Sequence, residues 1–456
     1  MTSMFRRLLA GLALGFTGGA SLAWWLARYE PLTQADYGRL GTSTGAEGGL
    51  PMQIDPGRLR SDTVALSSIN MRRGGTPGEA QARNWVLNRF GEIGLKRVHL
   101  SPVIYPRWRR RARSQLSFFT PAPYEPNFIV ITGSPKTAPT GLERPVIDLG
   151  GGTETDYAIR SRRGLGDAVH LIRRSDKSRE PRGRLIKRAA SHGAVAVVFA
   201  HQSPSPANMQ LIENGSGAAL GRIPALAVSY QTGEYLRKKL AKGPVRALLH
   251  IKSAYSAGLT ANVIGEIPGK RRDYVILAAH YDAWYSGASD NASGLACILE
   301  LARVWTESRL RPDRTIRFAA FASGGEGMVG SLSEVITRAA RVKARCRGIV
   351  TPDGVGVPEG ALRFNGFPSS LAKTAADLAE EMGYSESTGY PIAVRNSLSY
   401  SDHWPYAHLR LPALAIAKGP DPYCHTPYDT AERLDYQDMR WAAAIAGAMA
   451  LRLAQR

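Results

Sequence analysis

Tyr274-Val-Ile-Leu-Ala-Ala-His280 is the stretch of sequence that indicates the fold. Five consecutive apolar residues followed by an imidazole are typical of a strand buried on both faces, as in a parallel sheet covered by helices. The imidazole then lies at the carboxyl end of the strand, where open α/β sheets place their binding sites. Ten residues later, Asp290-Asn-Ala-Ser-Gly294 opens an apolar helical stretch that extends to Trp305.

Strand-like and helix-like segments alternate from Ala261 to the end of the chain. The pattern predicts strands at 275–279, 315–322, 349–351 and 413–416. It predicts helices at 293–305, 369–382 and 437–453. This alternation predicts an α/β fold with a mostly parallel, helix-flanked sheet. A helical pattern at 79–93 is assigned to the same domain.

A segment of different composition interrupts this domain. From Pro121 to Ser253, short strand-like runs are separated by Gly and Pro. We interpret 121–253 as a small inserted α+β domain, because 456 residues exceed what one compact core normally holds. The main domain then consists of 57–120 and 254–456.

The N-terminal region has the pattern of a membrane segment. Two arginines precede a mostly apolar run from Leu8 to Ala27, which is long enough to span a bilayer, and Trp24-Trp25 suits its outer interface. We favour an uncleaved anchor over 1–30 and a linker over 31–56, with the bulk of the chain in the periplasm or exterior. A cleaved signal peptide, which would give a secreted protein, stays open.

The charge distribution is uneven. The net charge is +21, and residues 101–190 alone carry 18 Lys or Arg against 8 Asp or Glu. Because no nucleic-acid-binding motif accompanies the basic residues, we predict no nucleic-acid partner and interpret the excess as a face held against an anionic membrane surface.

Four motifs together resemble those of the co-catalytic zinc exopeptidases, a family that includes bacterial aminopeptidases, glutamate carboxypeptidase and the non-enzymatic transferrin receptor. They are Ala279-His-Tyr-Asp282, Ser289-Asp-Asn-Ala-Ser-Gly294, Ser401-Asp-His403 and Cys424-His-Thr-Pro-Tyr-Asp-Thr430. Asp148-Leu-Gly-Gly-Gly-Thr153 and Gly193-Ala-Val-Ala-Val-Val198 resemble the protease-associated domain that several members carry. The resemblance covers about 57–455 and implies a peptidase-like fold with the protease-associated domain inserted at 121–253.

The resemblance also implies a site for two metal ions. His280 and Asp353 would hold the first ion, His425 would hold the second, and Asp290 would bridge both. Asp282 would accept the other ring N–H of His280 and orient it. Imidazole and carboxylate ligands suit zinc. A turn residue is the alternative for Asp353, which lies in Thr-Pro-Asp-Gly.

Further candidates surround this ligand set. Ser401, Asp402 and His403 are predicted to line the substrate cleft. Cys424 adjoins His425 and is a candidate soft ligand without a partner thiol nearby in sequence. A Cys346–Cys424 disulfide stays open for an exported protein.

One segment departs from the family pattern. Members have two adjacent glutamates, a general base and a ligand of the second metal, where Phe321-Ala-Ser-Gly-Gly-Glu-Gly-Met-Val-Gly-Ser331 has Gly324 and Gly325. Glycine neither binds a cation nor accepts a proton. Glu326 is the candidate replacement base, since the glycines around it would allow the backbone to bulge inward; a solvated loop carboxylate is the alternative.

The family motifs, together with the departure at Gly324 and Gly325, indicate two candidate functions. The first is a membrane-tethered, zinc-dependent exopeptidase, an aminopeptidase or carboxypeptidase acting on peptides outside the cytoplasm, with one complete zinc site and a second that lacks a ligand. The second is a catalytically impaired pseudopeptidase that serves as a binding module. Glutaminyl cyclase chemistry ranks last, because Gly325 removes one of its ligands. The oligomeric state is not indicated.

Overall fold

The computed structural model describes residues 49–111, 113–160, 164–173, 180, 182–201, 223–395 and 401–455. The predicted anchor over 1–30 lies outside these residues. Within them, no helix combines the length and the apolar composition needed to cross a membrane. The described chain forms two compact units, one of residues 106–257 and one of the residues before and after it.

The larger unit contains a mixed sheet, with eight strands among the described residues. In order across the sheet these are β1 (Lys96–Arg110), β10 (Ser253–Ile267), β12 (Arg314–Phe321), β11 (Arg271–His280), β13 (Cys346–Pro352), β16 (Ala413–Gly419), β14 (Ala361–Phe367) and β15 (Ile392–Arg395). The central strands β12, β11, β13 and β16 run parallel to one another. β10 and β14 run antiparallel to their central neighbours. The predicted parallel arrangement therefore holds for the middle of the sheet, where the site lies.

Both faces of this sheet are buried, which explains the continuous apolar run at its centre. Val275, Leu277 and Ala279 pack into the cluster formed with helices on one face. Ile276 and Ala278 pack into a separate cluster on the other face. Successive strand residues point to opposite faces, so a strand covered on both sides needs apolar side chains at every position.

Helices flank the sheet close to their predicted positions. In chain order the helices of this unit are α1 (Leu50–Gln53), α2 (Pro56–Ser67), α3 (Pro77–Ile93), α7 (Gly294–Glu307), α8 (Val329–Thr337), α9 (Ala339–Arg345), α10 (Ser369–Glu381), α11 (Trp404–His408) and α12 (Tyr436–Ala454). Asp435 starts α12 by accepting hydrogen bonds from the backbone N–H groups of Gln437 and Asp438. The predicted linker over 31–56 is wrong at its end, because α1 lies within it and buries Leu50 in the core.

The smaller unit, residues 106–257, contains a second sheet with eight described strands. Their order is β3 (Pro123–Tyr124), β2 (Gln115–Phe119), β9 (Arg246–His250), β5 (Leu142–Asp148), β6 (Ala168–Arg173), β7 (Ala194–Ala200), β8 (Ala225–Val228) and β4 (Phe128–Val130). The helices of this unit are α4 (Glu154–Arg160), α5 (Arg182–Ser191) and α6 (Tyr230–Leu240). The unit is wider than the predicted 121–253 because β2 pairs with β9 and so joins this sheet.

Candidate metal centre

Parallel strands bring His280 and Asp353 to the same edge of the sheet. His280 ends β11, and Asp353 directly follows β13, which pairs in parallel with β11. Asp290 comes from the kinked turn Ala288–Ser293 that leads into α7. His280 Nε2 lies 3.0 Å from Asp290 Oδ1 and 3.6 Å from Asp353 Oδ1. These three side chains form the first ligand group, in which one atom from each lies within 4.8 Å of the others.

A second ligand group meets the other oxygen of Asp290. His425 Nε2 lies 2.5 Å from Asp290 Oδ2, and the Cys424 thiol donates to that oxygen at 3.3 Å. One ligand atom from each of these three residues again lies within 4.8 Å of the others. His425 has a φ of +61°, a left-handed conformation that a non-glycine residue adopts only when its surroundings hold it there. Asp290 therefore faces both groups, one oxygen to each.

The charges of His280 and Asp290 depend on each other. Burial alone would lower the pKa of His280, but hydrogen bonds to Asp282, Asp290 and Asp353 outweigh burial and raise that pKa well above its usual value. Burial would raise the pKa of Asp290, but His425 and His280 lower it well below its usual range. His280 and Asp290 thus stabilise each other's charged forms. A divalent cation would replace the protons that hold them together, so the donor set fits a metal such as zinc.

Asp282 connects His280 to the glycine pair. Its carboxylate Oδ1 lies 3.4 Å from His280 Nδ1, and its backbone carbonyl lies 3.1 Å from the same nitrogen. The backbone N–H groups of Gly324 and Gly325 donate to its two oxygens at 2.6 and 3.0 Å. A carboxylate held in this way orients the imidazole, which is the geometry expected of the predicted orienting residue.

The backbone at Gly324 lies directly against the ligand His280. A Cβ added at 324 would come nearest to His280 Cγ and would lie 2.6 Å from its Cβ and 2.8 Å from its Cδ2. At Gly325 the nearest atoms to an added Cβ would be Asp282 Oδ2 at 3.3 Å, a tight contact that needs a shift of a few tenths of an ångström, and Trp284 Nε1 at 3.5 Å, an ordinary contact. Glycine at 324 is therefore required by packing, a role that the sequence comparison with the family pattern did not reveal.

Glu326, the predicted replacement base, contacts Arg73, and its role as a base stays a prediction. Its Oε1 accepts hydrogen bonds from Arg73 Nε at 3.2 Å and Nη2 at 3.0 Å. The Arg73 guanidinium stacks 3.6 Å above the ring centre of Trp284. The Glu326 side chain is only 9% exposed, so it is not a solvated loop carboxylate. The carboxylate is instead held in an ion pair in which two N–H groups of Arg73 donate to one of its oxygens.

Two supporting residues were missed by the sequence analysis. Arg72 is fully buried and donates to backbone carbonyls that include those of Tyr281, Ser286 and Gly287, which fixes the loop between His280 and Asp290. Burial lowers the pKa of Arg72 to about 10. No local sequence signal marks this role.

Asp429, the other missed residue, holds the turn that carries Asp290. Its oxygens accept from the backbone N–H groups of Ser289 at 2.6 Å and Asp290 at 3.2 Å. Burial, together with the nearby charge of Asp290, raises the pKa of Asp429 to about 6. Asp429 lies within the motif Cys424–Thr430, and this position is the sequence signal that could have identified it.

The predicted cleft residues Ser401, Asp402 and His403 are buried in the described part of the chain. Asp402 Oδ1 accepts a hydrogen bond from the Ser331 hydroxyl at 2.5 Å, and burial raises its pKa to about 7. Burial lowers the pKa of His403 to about 3, and neither of its ring nitrogens has a hydrogen-bond partner among the described residues. Their assignment to a substrate cleft stays a prediction, which their burial does not favour.

The three cysteines are all free thiols, so the Cys346–Cys424 disulfide is not formed. Cys297 and Cys346 are fully buried, and each donates to a backbone carbonyl. Cys424 is half-buried beside Asp290. Burial, with the surrounding carboxylates, raises the pKa of its thiol well above the usual value.

Comparison with known proteins identifies chains that are similar in sequence and in fold. The sequence profile of peptidase family M28 matches residues 262–450. Aminopeptidase YwaD of Bacillus subtilis (strain 168) is 27% identical over 331 residues, covering 69% of this chain and 68% of its own length. Carboxypeptidase Q of Rattus norvegicus is 23% identical over 319 residues, covering 68% and 67%.

Solved structures agree with the fold. A zinc aminopeptidase from Bacillus subtilis has a TM-score of 0.69 and 23% identity, covering 87% of this chain and 94% of its own. An aminopeptidase from Aneurinibacillus sp. strain AM-1 has the same TM-score and identity, covering 90% and 96%. The two-sheet α/β architecture is thus that of aminopeptidases, and the relatives support zinc as the metal and a metallo-exopeptidase as the class of protein. With the shared-aspartate geometry and the matching profile together, residues 262–450 are a peptidase family M28 domain.

Proposed function

We propose that this chain is a zinc-dependent, exopeptidase-like hydrolase that cleaves residues from one end of peptides. The observation that carries the proposal is the placement of Asp290 between two ligand groups, with His280 at one oxygen and His425 at the other. The relatives are named as aminopeptidases and carboxypeptidases, so the end of the peptide is left to experiment.

The residues of the first ligand group, together with Asp282, supply what a zinc ion needs. His280, Asp290 and Asp353 would hold the ion, which supplies Lewis-acid polarisation of a carbonyl and acidification of water when bound. Three protein ligands leave a position open for water or substrate, as in catalytic zinc sites. Asp282, fixed by two backbone N–H groups, would keep the His280 ring in one orientation.

Proton transfer is the step that we expect to limit the rate of hydrolysis. Oε1 of Glu326, the candidate base, is already hydrogen-bonded to Arg73. Positioned proton transfer contributes about 10²–10⁴-fold to the rate of such reactions. We therefore expect slow hydrolysis, and Glu326→Gln should reduce it further without lowering the zinc content.

The test is turnover by the purified full-length protein supplied with zinc. Aminoacyl anilides and acidic dipeptides distinguish amino-terminal from carboxy-terminal cleavage. His280→Ala and Asp290→Asn are the control variants, because each removes a proposed ligand. Turnover that is equal in the wild type and in both variants would show that the activity does not come from this site and would refute the proposal.

A pseudopeptidase that acts as a binding module is the second candidate. It is favoured by Gly324 and Gly325, whose backbone is bound to Asp282, and by the engagement of Glu326 with Arg73. This candidate predicts zinc-loaded protein that binds peptides without cleaving them. Hydrolysis that disappears in the His280→Ala variant would count decisively against it.

We also propose that residues 1–30 tether the protein, with the bulk in the periplasm or exterior and a basic face near anionic lipid. The support is the apolar run of Leu8 to Ala27 after two arginines, and secretion after cleavage is the alternative. Membrane fractionation and N-terminal sequencing of the expressed protein decide between anchor and signal peptide.

Residues 106–257 are proposed to be the protease-associated domain, because the motifs at 148–153 and 193–198 resemble that domain.

A further inference from the structure

We propose that Cys424 is a thiolate ligand of the second metal ion, which completes a Cys–His–Asp set together with His425 and Asp290. The inference rests on the proposed metal-dependent function and assigns a ligand within it. Gly325 has no side chain to offer at this edge of the sheet, so a third protein ligand of the second ion has to come from elsewhere.

The distances fit one shared ion. Cys424 Sγ lies 3.3 Å from Asp290 Oδ2, and His425 Nε2 lies 2.5 Å from the same oxygen. Zinc binds S at about 2.3 Å, and N or O at about 2.0–2.2 Å, so tetrahedral neighbours lie about 3.3–3.8 Å apart. A sulfur and an oxygen bound to one zinc ion lie about 3.5–3.7 Å apart, so the Cys424–Asp290 separation needs to widen by only about 0.2–0.4 Å. The His425–Asp290 pair needs to open by roughly 1 Å when the ion replaces the proton between them.

The negative charge of the carboxylates near Cys424 favours the binding of a cation. Besides Asp290, the carboxylates of Asp421 and Asp429 lie near the thiol. Asp421 is held by a hydrogen bond from the Ser289 hydroxyl, and Asp429 by backbone N–H groups, so neither carboxylate is free to turn away. A divalent ion would neutralise this cluster. Its binding would form the metal–sulfur bond and release the thiol proton to solvent.

The competing roles of this thiol fit less well. All three cysteines are free thiols, so the structure pairs Cys424 with neither Cys297 nor Cys346. A thiol kept only for packing would not need to donate to the carboxylate that also contacts His425.

The test uses cobalt(II), a spectroscopic substitute for zinc, titrated into the metal-free full-length protein. We expect two equivalents to bind to the wild type and a thiolate-to-cobalt charge-transfer band to appear with one of them. Cys424→Ser should lose that band and keep the His280-dependent equivalent. The second equivalent should weaken by more than about a hundredfold, since loss of even an outer-shell partner costs about 10–100-fold. Cys346→Ser is the matched control and should behave as wild type.

The outcomes separate this inference from the proposed function. A wild type that binds cobalt without a sulfur band, or a band that persists in Cys424→Ser, overturns the cysteine ligand and leaves the metal-dependent function standing. A wild type that binds no cobalt overturns both. Because the sulfur band is read in the wild type, the result does not depend on whether the serine variant folds.

Discussion

Gly324 lies so close to His280 that we expect Gly324→Ala to destabilise the site, with Gly325→Ala as the matched control. Neither glycine has a φ in the left-handed region, so alanine suits the backbone at both positions. At 324, however, the new methyl carbon would lie 2.6 Å from His280 Cβ, whereas carbon atoms pack best at about 3.5–4.0 Å. At 325 its nearest neighbour would be Asp282 Oδ2, at 3.3 Å.

The magnitude follows from these contacts. Overpacking of this kind costs about 1–3 kcal/mol. Replacing glycine by alanine without strain stabilises by about 0.4–1 kcal/mol through the unfolded chain. We therefore expect Gly324→Ala to lower the free energy of unfolding by about 1–3 kcal/mol relative to Gly325→Ala. Because the methyl group also displaces the His280 ring from Asp282, zinc affinity should fall by about 10–100-fold at 324 alone.

The assay is urea unfolding of the metal-free and zinc-loaded proteins, followed by zinc competition with a chelator. The chain has two compact units, so the relevant unfolding transition is the one that zinc shifts to higher urea. Equal unfolding midpoints and equal zinc affinities for the two alanine variants would refute the packing argument, because they would show that His280 does not depend on an empty space at 324.

Two further predictions concern groups that support the site. Burial raises the pKa of Asp402 to about 7, above the roughly 3.9 of an unfolded chain, so the folded state holds this proton more tightly. The free energy of unfolding of the metal-free protein should then fall as the pH rises from about 4 to about 7. Asp402→Asn should flatten this pH dependence, measured as urea midpoints. An unchanged pH dependence in the variant would contradict the raised pKa of Asp402. Arg72→Met should leave the buried carbonyls of Tyr281, Ser286 and Gly287 without a donor, at a cost of about 1–3 kcal/mol for each that water cannot reach. Hydrogen exchange should then quicken in the loop between His280 and Asp290, and native protection there would count against this role.

The apolar run that ends at His280 was sufficient to predict the central strand and the edge where the site lies. Each residue of that run is buried on one face of the sheet or the other, so a local pattern carried the information. The helices at 293–305, 369–382 and 437–453 are confirmed within two residues at each end. The motif resemblance is also confirmed, since residues 262–450 match the M28 profile.

Sequence alone therefore determined the α/β class and predicted the four residues that the structure gathers at the candidate metal centre, because strand and helix periodicity and short motifs are local properties. Tertiary structure alone decided that Glu326 pairs with Arg73, that Arg72 holds the ligand loop and that Cys424 meets Asp290. These partners lie 253, 214 and 134 positions apart in the chain. Pairings of this kind depend on where the folded backbone brings distant side chains together, and no pattern within one segment encodes that geometry.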